Sequence, residues 1–151
     1  MKRIYFLVTL TCLSFFFSLV SFSPNENTSI VDDVLSQTNQ FRKSKGLPEL
    51  IIRDELNSIA QKHSKDMASG RVGFGHGGFD KRNAQVTQKM NPITSFAENV
   101  AYGAATGKAV VDMWKNSSGH RRNMLGRYKY VGIGIAKDKK GRIFYTQIFA
   151  G

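Results

Sequence analysis

Four side chains in this sequence are of types that do chemistry: His63, His76, His120 and Glu98. Two imidazoles and a carboxylate are the donor set of an open zinc site, whose fourth position is left for water or substrate. His76, Glu98 and His120 equally suit a neutral hydrogen-bonded network that holds loops together. Residue spacing leaves both readings open. There is no H-E-x-x-H pair and no G-x-S-x-G elbow. Ser117 stands three residues before His120, but no signature makes it an activated nucleophile.

The histidines differ in setting. His63 lies four residues before Met67 on an apolar helical face, where a packed, hydrogen-bonded core histidine is expected. His76 sits in GFGHGGF, flanked by Gly73, Gly75, Gly77 and Gly78, so a ligand can reach it. His120 follows Gly119 in SSGHRRN, just past a helix. Arg121 and Arg122 beside it are expected to depress its pKa and keep the ring neutral, free to bind metal. Glu98, between Ala97 and Val100 in an apolar stretch, needs a partner, because an unpaired buried charge is costly.

The elements that must position these groups follow from periodicity. SIVDDVLSQTNQFRKSKG places Ile30, Val34, Thr38 and Phe41 at helical spacing and stops at Gly46. Leu47 to Ile52 reads as an extended link. Asp54 is an N-cap for a second helix carrying Leu56, Ile59, Ala60, His63 and Met67 on one face, with Gly70 as its stop. Arg71 to Thr94 reads as a loop, and Ser95 to Gly103 as a short extended or irregular segment. Thr106 to Asn116 is a third helix with Val110, Met113 and Trp114 as its apolar side, and Arg121 to Leu125 forms a further turn. Tyr128–Lys137 and Arg142–Ala150 form an antiparallel hairpin about the turn KDKKG. Gly132 and Gly134 leave one strand face bare for close packing of another element. Helices followed by strands give an α+β domain with helices over a small antiparallel sheet.

The first 23 residues stand apart. Lys2 and Arg3 precede an uncharged run, and Ser21 and Ser23 are the small residues before a cut at Pro24. That is the plan of a secretory signal peptide, with an uncleaved anchor as the rival. Residues 24–28 read as a polar leader and 29–151 as one domain. Cys12, the single cysteine, falls in the leader segment, where lipidation is the lesser alternative. The remainder has no thiol and no disulfide, so a hydrophobic core must hold it. The chain carries a formal charge of +11, or +9 once Lys2 and Arg3 are removed with residues 1–23, which hold no acid. That balance favours acidic partners. The cations are scattered along the sequence, and no motif points to specific nucleic-acid binding.

FGHGGFDKR, AENVAYG, WKNSSGHRRN and YVGIGIAKDKKGRIFYTQIF, in this order, resemble the CAP superfamily (cysteine-rich secretory proteins, antigen 5, pathogenesis-related 1) in its bacterial, SCP-like extracellular branch. TNQFRKSKGLPEL and QKHSKDMA fit the same pattern, so the resemblance covers roughly residues 29–151. It implies a three-layer α-β-α sandwich with a central cleft. It implies a cavity of two histidines and acidic residues, binding zinc in some members: His76, His120 and Glu98 here, with His76 and His120 as metal ligands. A second acid, three positions after the helix-three tryptophan, is replaced by Ser117. General catalytic activity is not implied. The expectation is a monomeric, secreted or envelope-attached, nonenzymatic module that binds lipid or sterol, acidic glycan or a host surface component, with Zn²⁺ as the one candidate cofactor. A metal-dependent hydrolase in the same cleft and polyanion adhesion through the basic surface are the alternatives.

Overall fold

The computed structural model describes residues 26–151; the expected signal peptide over 1–23, with Cys12, lies outside the described residues. The first helix, α1 (Glu26–Lys43), begins inside the stretch expected as a polar leader. Ile30, Val34 and Thr38 form its buried stripe. Arg42 also turns inward. Its guanidinium donates to the carbonyls of Pro48, Met124 and Gly126 at 2.9, 2.8 and 2.9 Å, tying the end of α1 to a distant loop.

A two-residue strand, β1 (Ile51–Ile52), leads into α2 (Asp54–Ala68). Asp54 is the first helical residue, while Arg53 holds the N-cap position without a side-chain bond, so Asp54 acts on the helix dipole and not as a cap. The stretch expected as a loop contains a helix, α3 (Phe79–Lys89). Phe79, Arg82 and Val86 are its inward positions, and an arginine standing where an apolar residue is expected hides the helical period. Then come β2 (Phe96–Tyr102), α4 (Gly107–Asn116), α5 (Ser118–Met124), β3 (Tyr130–Lys137) and β4 (Ile143–Ala150). Thr106 caps α4 by accepting from the Ala109 amide at 3.1 Å. Val110, Val111 and Trp114 form the buried side of α4; Met113, expected among them, is 48% exposed. The expected turn over Arg121–Leu125 is the short helix α5.

The strands run β1-β3-β4-β2, with β1 parallel to β3 and the other pairs antiparallel. The expected hairpin is there, and a parallel pairing makes the sheet mixed. Side chains alternate across it. Ala97, Ala101, Val131, Ile133, Tyr145 and Phe149 pack with α1, α4 and α5, while Phe96 and Ile148 pack with α2 and α3. Three layers result, with five helices and four strands among the described residues.

Gly132 and Gly134 set the closeness of α2. A Cβ on either would run into the backbone of Leu56 and Asn57, or of Ala60 and Gln61. With the helix that near, Asn57 and Gln61 accept from the amides of Ile133 and Ile135 at 2.9 Å each, and Gln61 also donates to the Ile135 carbonyl. These bonds cover the part of β3 that β1 is too short to reach. At the opposite edge, Trp114 Nε1 donates to the Val100 carbonyl at 3.2 Å and Asn123 Nδ2 to the Glu98 carbonyl at 3.0 Å. No described helix is long and apolar enough to cross a membrane.

Candidate functional site

Strand alternation turns Glu98 toward α2 and α3, between Phe96 and Val100, and its side chain is wholly buried. Arg82 from α3 forks across it: Nε donates to Oε2 at 2.6 Å and Nη2 to Oε1 at 2.7 Å. His76 Nδ1 lies 2.9 Å from Oε1. Because a carboxylate only accepts, that nitrogen carries the proton, which leaves Nε2 of a half-exposed ring as the face offered outward. His63 Nε2 is 4.0 Å from the same oxygen and donates to the Gly75 carbonyl at 2.9 Å. Burial pushes the His63 pKa down, against the pull of the Gly75 carbonyl, and the Arg82 charge adds to the fall.

This cluster shapes the glycine loop. Arg82 Nη1 donates to the Gly77 carbonyl at 2.7 Å. Gly78 opens α3 with φ 78°, a left-handed conformation, and its backbone passes so near the guanidinium that a Cβ would lie 3.3 Å from Nη1. Residues 76–78 thus wrap a buried ion pair.

His120 stands on α5, half-buried, across a cleft of about 490 Å³. Val100, Ala101 and Trp114 line the cleft with His120 and Ser117, and Phe74, Tyr102 and Met113 give it an exposed apolar rim. Phe74 meets Tyr102 edge to face at 4.8 Å, and Tyr102 stacks on Phe144 at 5.5 Å. The His120 pKa is lowered, by burial first and then by the charge of His76. Arg121 and Arg122, expected to cause that shift, do not; both are exposed. A buried polar string steadies α5: Asn123 Nδ2 donates to Asn99 Oδ1 at 2.9 Å, and Asn99 Nδ2 to the His120 carbonyl at 3.3 Å. Ser117 ends α4 and opens α5.

The structure therefore joins His76 to Glu98 directly and sets His120 and Ser117 together in the neighbouring cleft. The donor set for zinc is incomplete. Both oxygens of Glu98 are taken, and the carboxylate orients His76 from behind. Among the described residues no three His, Cys, Asp or Glu side chains are placed to hold a metal ion. An open site of two histidines and a carboxylate does not fit this arrangement.

Sequence reasoning missed Arg82, the nearness of His63 to Glu98, and the rim of Phe74, Tyr102 and Met113. For Arg82 a signal existed, a cation in step with Phe79 and Val86 at helical spacing. The rim has none, since its members come from a loop, a strand and a helix.

The sequence model of the cysteine-rich secretory protein family, CAP, matches residues 35–149. Two Bacillus subtilis proteins are similar: the uncharacterized protein YkwD is 30% identical over 137 residues (85% of this chain and 50% of that protein), and the uncharacterized membrane protein YlbC is 31% identical over 127 residues (81% and 34%). The chain thus spans half the length of one curated relative and about a third of the other. Among solved structures, an extracellular SCP-domain protein from Bacillus anthracis superposes with a TM-score of 0.70 at 27% identity, covering 82% of this chain and 40% of that one. An outer surface protein from Borrelia burgdorferi, at 22% identity and a TM-score of 0.67, shares the fold over 79% of this chain and 92% of its own.

Proposed function

The chain belongs to the cysteine-rich secretory protein (CAP) family, and from that premise we propose that it is a secreted or envelope-attached domain that binds a ligand in the cleft beside His120 without turning it over. One observation carries this reading. The cleft is open, apolar and rimmed by exposed rings, while the carboxylate that would act as a base is sealed behind it by Arg82. An exposed apolar surface supports a binding role. His120, whose pKa burial lowers, supplies a polar anchor within it. The extracellular placement draws on the Bacillus anthracis and Borrelia neighbours, which are described as extracellular and outer-surface proteins.

The hydrolase alternative asks Glu98 to take a proton. It would first have to shed two short bonds to Arg82 in a buried setting, where an unpaired charge is costly. Ser117, where related cavities carry a second acid, supplies no carboxylate.

Trp114 is the single tryptophan and lines the cleft, so it reports occupancy. Titration of amphiphiles and oligosaccharides is expected to give a saturable fluorescence change, weakened in Phe74→Ala and His120→Ala. Turnover of an ester or peptide library, abolished in Glu98→Gln, would overturn the nonenzymatic reading.

A further inference from the structure

The cations that look scattered in the sequence converge at one end of the sheet. The last turn of α2 with the residues after it, and the β3–β4 turn, enclose an open groove of about 640 Å³. Lys65 and Arg71 line one wall; Lys137, Lys139 and Lys140 line the other. The two acids nearby are already neutralised. Asp66 is paired with Lys62 at 2.6 Å and with Arg71. Asp138 accepts from Arg142 Nε at 2.7 Å and from the amides of Lys140 and Arg142. Lys65 is favoured where it stands by the helix dipole, but nothing of that kind asks for Lys139 and Lys140 in a tight turn. A concave surface of net positive charge raises the local concentration of anionic partners.

The groove is joined to the cleft by a chain of contacts. Asp138, in the groove wall, holds Arg142. The Arg142 guanidinium lies 6.0 Å from the ring centres of both Tyr102 and Phe144. Tyr102 in turn meets Phe74 on the rim of the cleft. Cations thus give way to exposed aromatic rings along one surface. A partner that uses both must carry anionic groups and flat, partly apolar faces in one linear molecule. Sugar rings bearing sulfate, phosphate or carboxylate have that chemistry: their C–H faces stack on aromatic rings, and their substituents meet lysine and arginine.

We propose that the hairpin end of the sheet binds an anionic glycan chain, its charged groups in the basic groove and its sugar rings on the shelf formed by Phe74 and Tyr102. This rests on the cleft's being a binding site and names the class of its ligand. A concave groove that continues into a cleft suits a chain, whereas a bilayer needs a flat or convex face.

The test uses a labelled, sulfated glycosaminoglycan oligosaccharide, read by anisotropy and by Trp114 fluorescence together. Controls are a neutral chitin oligosaccharide of equal length, linear polyphosphate of matched charge, and vesicles of equal parts phosphatidylglycerol and phosphatidylcholine. The sulfated chain is expected to bind and to move both signals. The combined Lys65→Ser, Lys139→Ser and Lys140→Ser variant is expected to weaken it about tenfold or more. Phe74→Ala is expected to remove the Trp114 response while leaving a weaker, salt-sensitive anisotropy change. Unaltered binding by the triple variant, or equal binding of polyphosphate or of the vesicles, overturns the proposal. If other ligands move Trp114 and the sulfated chain moves neither signal, the glycan assignment fails and the cleft reading stands; if nothing moves Trp114, the cleft reading fails with it.

Discussion

Arg82 grips both oxygens of Glu98, at 2.6 and 2.7 Å, with the guanidinium and the carboxylate each shut away from solvent. The cation that balances this carboxylate is therefore part of the chain. Arg82→Met leaves Glu98 buried and unpaired, and is expected to lower stability by about 3–5 kcal/mol. Adding Glu98→Gln is expected to return much of that loss, because no charge is then stranded. Chemical denaturation of the two single variants and the double variant measures the coupling.

Metal dependence follows from the same pair. A ligand present at a hundred times its Kd stabilises the folded state by about 2.7 kcal/mol. Zinc is expected to fall well short of that, and chelator treatment to leave Tm unchanged. Calorimetric titration of wild type against Glu98→Gln is expected to show equal, weak uptake. Tight uptake lost in Glu98→Gln would mean that Arg82 gives way to the metal.

Two glycines should respond oppositely to a methyl group. Gly134→Ala forces a Cβ into the backbone of Ala60 and Gln61, and lifting α2 strains the bond from Ser64 Oγ to the Gly134 carbonyl. A loss of about 3 kcal/mol is expected. Gly119→Ala, in α5 with no atom within 4 Å of the new Cβ, is expected to gain about 0.5–1 kcal/mol. Thermal melts compare them.

Alkaline stability depends on Tyr145. Its hydroxyl donates to the Ala104 carbonyl at 2.8 Å, and burial, helped by the charge of Asp33, pushes its pKa up to about 12. The folded state thus keeps a proton that the unfolded chain loses near pH 10. The contribution is fully present below that value and lost as pH rises from about 10 through about 12, amounting to about 3 kcal/mol. Tyr145→Phe is expected to flatten the pH dependence in this window, as read by denaturant midpoints.

Much of the fold was legible because its period is regular. Ile30, Val34 and Thr38 announce α1, the 130–150 alternation announces the hairpin, and the bare face at Gly132 and Gly134 is filled by α2. Helix α3 escaped because its central core-facing position is Arg82, whose partner lies sixteen residues on, in another element. The direct contact between His76 and Glu98 depends on a loop wrapped around that ion pair, and no local pattern encodes it. The charge pattern misled in the same way. Residues 65–71 and 137–140 are far apart in the chain, and the register of the β3–β4 turn against the end of α2 makes them neighbours.

The covered strand edges limit how this domain meets other proteins. With Trp114 and Asn123 on the carbonyls of β2, and Asn57 and Gln61 on β3, a visiting strand finds those peptide groups engaged. Partner capture by strand addition is blocked there, as is the sheet-to-sheet polymerisation that bare edges invite. On the proposed reading, recognition rests on side chains at the rim and groove, where substitutions can retune the choice of partner while the backbone frame stays the same.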